Sequence, residues 1–147
     1  MPGAPFNRYI RRMAFAIRLF RVIAPVTNLE EAARFYSAIF DHPGFRISPG
    51  RHYFDCGGVI LAVYDALADG DAQPVRHNGE HIYFAVPDLE AVFKRAEHAG
   101  GLSTAIGDGN LPMGKIARRP WGEVSFYLHD PSGNPLCFVD DKSVYRP

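Results

Sequence analysis

The chain has 147 residues, a length that fits one domain or two small halves sharing a core. Sixteen basic residues balance sixteen acidic ones, so nothing in the charge favours a nucleic-acid or acidic-polymer partner. Two cysteines, Cys56 and Cys137, are too few for a disulfide framework, and no apolar run approaches the about 20 residues of a membrane span. A cytoplasmic protein with neither membrane nor nucleic-acid partners is therefore expected.

Residues 1–16 carry Arg8, Arg11 and Arg12 without an acidic residue. They lack the apolar core and small-residue cleavage site of a targeting peptide and read as a peripheral N-terminal extension. A first module spans 17–64. Residues 17–26 form a predicted strand that Pro25 places at an edge or a strand end. Asn28 is the expected helix N-cap, with Glu31 three residues on completing a capping box. Leu29, Ala32, Ala33, Tyr36, Ile39 and Phe40 then recur at helical spacing, and His42-Pro43-Gly44 stops the helix. Three strands are predicted over 45–48, 52–56 and 59–64, with turns at Ser48-Pro49-Gly50 and Gly57-Gly58.

Residues 65–79 read as a linker, and the pattern restarts in a second module over 80–141. A strand is predicted over 81–86, followed by an N-cap at Asp88 and a helix with Leu89, Val92, Phe93, Ala96 and Ala99 on its apolar face. Gly100-Gly101 ends that helix. Strands follow at 102–106, 115–119, 123–129 and 136–140, separated by a Gly-rich loop over 107–114 and the turn Asp130-Pro131-Ser132-Gly133-Asn134. Residues 142–147 form a C-terminal tail.

The two modules repeat each other. Around Val26 the chain reads V-T-N-L-E-E-A-A-R-F-Y, and around Val86, sixty residues later, V-P-D-L-E-A-V-F-K-R-A. One repeated pair is too few for a solenoid. It predicts an α+β fold of two βαβββ modules, each a sheet with one face covered by a helix and the other left open. Two such faces form a curled mixed sheet around a cup, with the helices outside. Concave surfaces of this kind are where ligands bind.

These segments, with H-I-Y-F-A-V-P-D-L-E and P-W-G-E-V-S-F-Y-L-H-D-P-S-G-N-P-L-C-F-V-D, resemble the vicinal oxygen chelate superfamily over residues 18–141. That superfamily includes glyoxalases, bleomycin-resistance proteins and extradiol dioxygenases. The resemblance implies a metal-ligand position early in the first strand of each half and another on its last strand. Carried onto this chain, those positions are Arg21, Leu61, His81 and Cys137. Only His81 matches the His, Gln or Glu that the resemblance leads one to expect. Arg21 repels a cation and Leu61 offers no donor, so no native metal or other cofactor is expected.

The expected function is that of a bleomycin-resistance-like protein, binding a small organic molecule in a metal-free cup. The ligand-binding candidates are Arg21, Leu61, His81, Tyr83, Trp121 and Cys137. Arg21 is either a two-pronged grip for an anion or the partner of an acidic side chain across the sheet. His81 is either a ligand contact or a hydrogen-bonded sheet histidine, and Cys137 either a thiol activated by His81 or a small buried core residue. The competing reading is a lyase, isomerase or dioxygenase of the same superfamily with an unusual site, for which His81 and Cys137 are the catalytic candidates. The 107–114 loop is either a lid or a passive connection. The resemblance also implies a homodimer whose cups are completed by the partner.

Overall fold

The computed structural model describes residues 16–146. Most of the N-terminal extension, and with it any test of its role, lies outside the described residues. In chain order the elements are β1 (Arg21–Pro25), α1 (Leu29–Phe40), β2 (Phe45–Ser48), β3 (Arg51–Cys56), β4 (Val59–Tyr64), β5 (Ile82–Val86), α2 (Leu89–Ala99), β6 (Ala117–Arg118), β7 (Val124–His129) and β8 (Pro135–Asp140). The strands make two four-stranded mixed sheets, ordered β1-β4-β3-β2 and β5-β8-β7-β6. In each sheet the first strand runs parallel to the last, and the remaining pairs are antiparallel. Neither helix is long and apolar enough to cross a membrane.

Both helices begin as the caps dictate. The Asn28 side chain accepts from the Glu31 N–H, and Asp88 accepts from the Ala91 N–H, each satisfying a donor that the first turn leaves free. The first helix ends at Asp41 in a left-handed conformation, whose N–H donates to the Ser37 carbonyl. The second ends at Gly100.

The apolar faces of both helices and the inner faces of both sheets merge into one core. Phe40 joins the halves: its ring lies 5.2 Å from Phe54 in the first module, and 5.4 Å and 6.3 Å from Phe84 and Phe138 in the second. The buried rings of Phe54 and Phe138 each contribute about 2–3 kcal/mol through removal of apolar surface from water, and the partly buried Phe40 and Phe84 contribute less. Arg95 of α2 donates to the Ile39 carbonyl, a group that the C-terminal turn of α1 leaves unpaired.

The Asp130–Asn134 turn is the polar half of this joint. Asp130 accepts from the Tyr36 hydroxyl, from the Ser132 and Asn134 backbone N–H groups and from the Asn134 amide. Asn134, fully buried, also donates to the Pro25 carbonyl at the edge of β1 and accepts from the Asn78 N–H. The Asn78 amide donates to the Ile23 carbonyl. Burial, then the neighbouring Asp130 carboxylate, raises the Tyr36 phenol well above its ordinary value, so it serves as a donor. The chain's most characteristic motif therefore ties the second module to the first.

One expected strand is absent. No strand forms over 102–106; Leu102 and Ile106 make only isolated bridges, to Leu128 and Pro112. The edge of the second sheet is instead shared by Gly101, Ser103, Met113 and β6, because residues 104–112 leave the sheet as a small hairpin. The 65–79 segment is more than a linker: Asp69 accepts from the Ser48 hydroxyl, the Gly50 N–H and Arg51, which pins it to the β2–β3 turn. The C-terminal tail is likewise anchored, with the Ser143 hydroxyl accepting from the Val124 N–H and Val144 packed on the second sheet.

Candidate functional site on the open sheet faces

Strand alternation sorts side chains between the helix side and the open face. In the second sheet Ile82, Phe84, Leu136, Phe138, Phe126 and Leu128 all enter the helix-side core. Cys137, Val139, Tyr127, Tyr83 and Ser125 therefore face the other way, and His81 precedes Tyr83 on that side. The predicted placement of His81, Tyr83 and Cys137 together is what the structure shows. The His81 ring lies 5.0 Å from that of Tyr127 and 6.1 Å from that of Tyr83.

In the first sheet the expected position moves by one residue. Val22 pairs with Leu61, and both face the helix; Leu61 is a core residue and does not reach the open face. Ala62 takes its place. It lies between Ile23 and Tyr53 as Cys137 lies between Tyr83 and Tyr127. Counting from the glycines slips because the two turns differ in length. Cys56 pairs directly with Val59 across Gly57-Gly58, whereas His129 pairs with Pro135 across the five residues 130–134. The difference is odd, and an odd slip exchanges the two faces of a strand.

The four positions implied by the resemblance are thus Arg21, Ala62, His81 and Cys137. Arg21 is exposed, its guanidinium 5.1 Å from the Phe20 ring centre and 5.6 Å from that of Tyr53. Among the described residues no carboxylate lies within ion-pair distance of it. Burial lowers the pKa of His81; the charge of His129 adds to this and that of Glu80 opposes it. Burial pushes the Cys137 thiol up to about 11, so it is a neutral thiol near pH 7 and not an activated nucleophile. A methyl group, a guanidinium, one imidazole and a buried thiol do not fit an ordinary catalytic metal, which needs about three good ligands. Among the described residues no three His, Cys, Asp or Glu side chains are placed to share an ion.

Groups outside the strand pattern cover the second open face. Met113, from the Gly-rich loop, and Val144, from the tail, pack on Tyr127, Cys137 and Val139. Arg119, only 3% exposed, donates to the Ser125 hydroxyl and to the carbonyls of Pro112, Met113, Lys115 and Ser125. Its guanidinium lies 5.1 Å from the Tyr127 ring centre. The loop is therefore a fastened cover over this part of the sheet. Beside it remains an open recess of about 350 Å³, lined by Tyr83, Phe84, Ala85, Glu123, Val139 and Val144. Trp121 is half exposed at the turn before β7 and donates through its indole to Glu123.

Sequence reasoning did not single out Arg119, Glu123, Val139 or Val144. Ser125, Tyr127 and His129 were within reach, since alternation from Cys137 across the β7–β8 hairpin puts all three on the open face.

Comparisons with known proteins agree with this architecture. Residues 18–138 match the sequence pattern of the Glyoxalase/Bleomycin resistance protein/Dioxygenase superfamily. A metallothiol transferase FosB from Shouchella clausii is 26% identical over 113 residues, covering 76% of this chain and 71% of that protein. A glyoxalase-related enzyme from Fulvimarina pelagi superposes with a TM-score of 0.66 at 20% identity, over 85% of this chain and 88% of its own. A lactoylglutathione lyase from Agrobacterium tumefaciens does so with a TM-score of 0.59 at 21% identity, over 85% and 94%. These structural likenesses establish the fold, and the pattern match covers most of the sequence. The chain belongs to the Glyoxalase/Bleomycin resistance protein/Dioxygenase superfamily.

Proposed function

We propose that this protein binds a small organic molecule against its open sheet faces without a catalytic metal. The observation that carries this reading is the set Arg21, Ala62, His81 and Cys137 at the positions where the resemblance places metal ligands. Arg21 and His81 are the polar anchors, and Tyr53, Tyr83 and the recess beside Val139 supply apolar contact. The neutral, buried Cys137 thiol counts against a thiol-based enzyme.

A homodimer belongs to the same proposal. The open face of the first sheet and the chain leading into it leave Phe20, Ile23 and Phe45 exposed to water, a cluster that a second copy would cover.

Elemental analysis of untagged protein, followed by a thermal-shift screen of small organic molecules, tests this. Substoichiometric metal and a ligand that raises the melting temperature are expected. One tightly held metal per chain would overturn the reading and return the site to lyase or dioxygenase chemistry. Size-exclusion chromatography at micromolar concentration tests the dimer, which a monomeric elution would refute.

A further inference from the structure

The recess on the second sheet holds one charged group that has no ion-pair partner among the described residues. Glu123 is the only ionic residue among the six that line it; the others are Tyr83, Phe84, Ala85, Val139 and Val144. Among the described residues Glu123 makes no ion pair. The buried cation nearest in the chain, Arg119, is committed to backbone carbonyls and Ser125.

The carboxylate is nevertheless held in place. One oxygen accepts from the Trp121 indole N–H at 2.9 Å, and the other accepts from the Tyr145 backbone N–H at 2.9 Å. A carboxylate offers about four acceptor sites, so about two remain free. The neighbouring surface is apolar except for the phenol of Tyr83, a residue 57% exposed. An aromatic face next to a fixed negative charge is the environment that a substituted ammonium prefers.

We infer that the recess recognises an organic cation, a protonated or quaternary amine with an apolar body, whose charge rests on Glu123 and Tyr83. The inference depends on the reading of the open faces as a small-molecule site and specifies the ligand class of this recess, whose lining does not include Arg21. An anionic ligand would meet Glu123 unfavourably and find no donor cation in the recess.

Trp121 is the only tryptophan in the chain and touches Glu123, so its fluorescence reports directly on the recess. The test titrates three probes of matched shape: benzyltrimethylammonium, 3-phenylpropanol and 3-phenylpropionate. The ammonium is expected to bind saturably, at least about fivefold tighter than the alcohol, with the carboxylate weakest. Glu123→Gln keeps a side chain of the same shape and is expected to weaken the ammonium about tenfold while leaving the alcohol unchanged. Ala85→Lys, which puts a cation in the recess without touching the Glu123 hydrogen bonds, is expected to abolish ammonium binding. It serves as the decisive variant if Glu123→Gln fails to fold. Alcohol binding without preference for the ammonium would overturn the cation assignment and leave the small-molecule site standing. Binding of none of the three would overturn both. Ammonium binding indifferent to both substitutions would place it elsewhere and refute the assignment.

Discussion

The two sheets are copies of one βαβββ plan, yet their open faces have opposite fates. On the first, Arg21, Ile23 and Phe45 stand in solvent, and Tyr53 is incompletely covered. On the second, Tyr127, Cys137 and Val139 are buried beneath Met113, Val144 and the loop that Arg119 fastens. The helix sides differ far less, since both belong to one core. What distinguishes the copies is an inserted hairpin and a returning tail, not the repeated unit. A duplicated sheet can therefore cover most of one open face from within its own chain, leaving only the recess beside Tyr83, while the other face stays uncovered.

The largest expected effect compares equivalent residues. Tyr53 and Tyr127 occupy matching places, opposite Ala62 and Cys137. Truncating Tyr127 to Ala empties a buried site and is expected to cost about 4 kcal/mol. The same change at Tyr53 removes a partly solvated ring and is expected to cost about 1 kcal/mol. Chemical denaturation of both variants decides the matter. Equal losses would mean that the first face is covered as well as the second.

Arg119→Met probes the fastening itself. The substitution keeps the length of the side chain and removes the guanidinium donors to the carbonyls of Pro112, Met113 and Lys115. Acceptors left unpaired away from water cost about 1–3 kcal/mol each, part of which hydration at this edge restores, so a net loss of about 3 kcal/mol is expected. Hydrogen exchange should then rise at Tyr127, whose N–H donates to the Met113 carbonyl. Unchanged protection there would show that the loop holds without the guanidinium.

The contrast between the faces was only partly legible in the sequence. Strand alternation and helical spacing describe each module, and the caps at Asn28 and Asp88 lie where the pattern puts them. The resemblance placed His81 and Cys137 on the open face, and strand parity added Tyr83 beside them. Leu61 was misplaced because parity does not carry across turns of unequal length, and the parallel pairing Val22–Leu61 is a long-range fact. Arg119 and Glu123 carry no periodic signal. Nothing local tells an arginine before Pro120 to turn inward; the acceptors that draw it there include Pro112 and Met113, presented by the inserted hairpin.

The smallest effect concerns His81, the one imidazole at the four matched positions. Burial holds its folded-state pKa below the usual value of about 6.5, helped by His129 and opposed by Glu80. Between those two values the unfolded chain carries a proton that the folded chain lacks. Stability linked to His81 is therefore complete above about pH 6.5 and falls as pH drops through the folded-state value. The ring is partly solvated, so the slope is expected to be shallow. Proton NMR of the His81 ring should give a midpoint below that of an ordinary histidine, and His81→Asn should flatten the dependence of the denaturation midpoint on pH. A midpoint at or above the ordinary value would mean that water reaches this ring freely, and the second face would then be as open around His81 as the first is around Arg21.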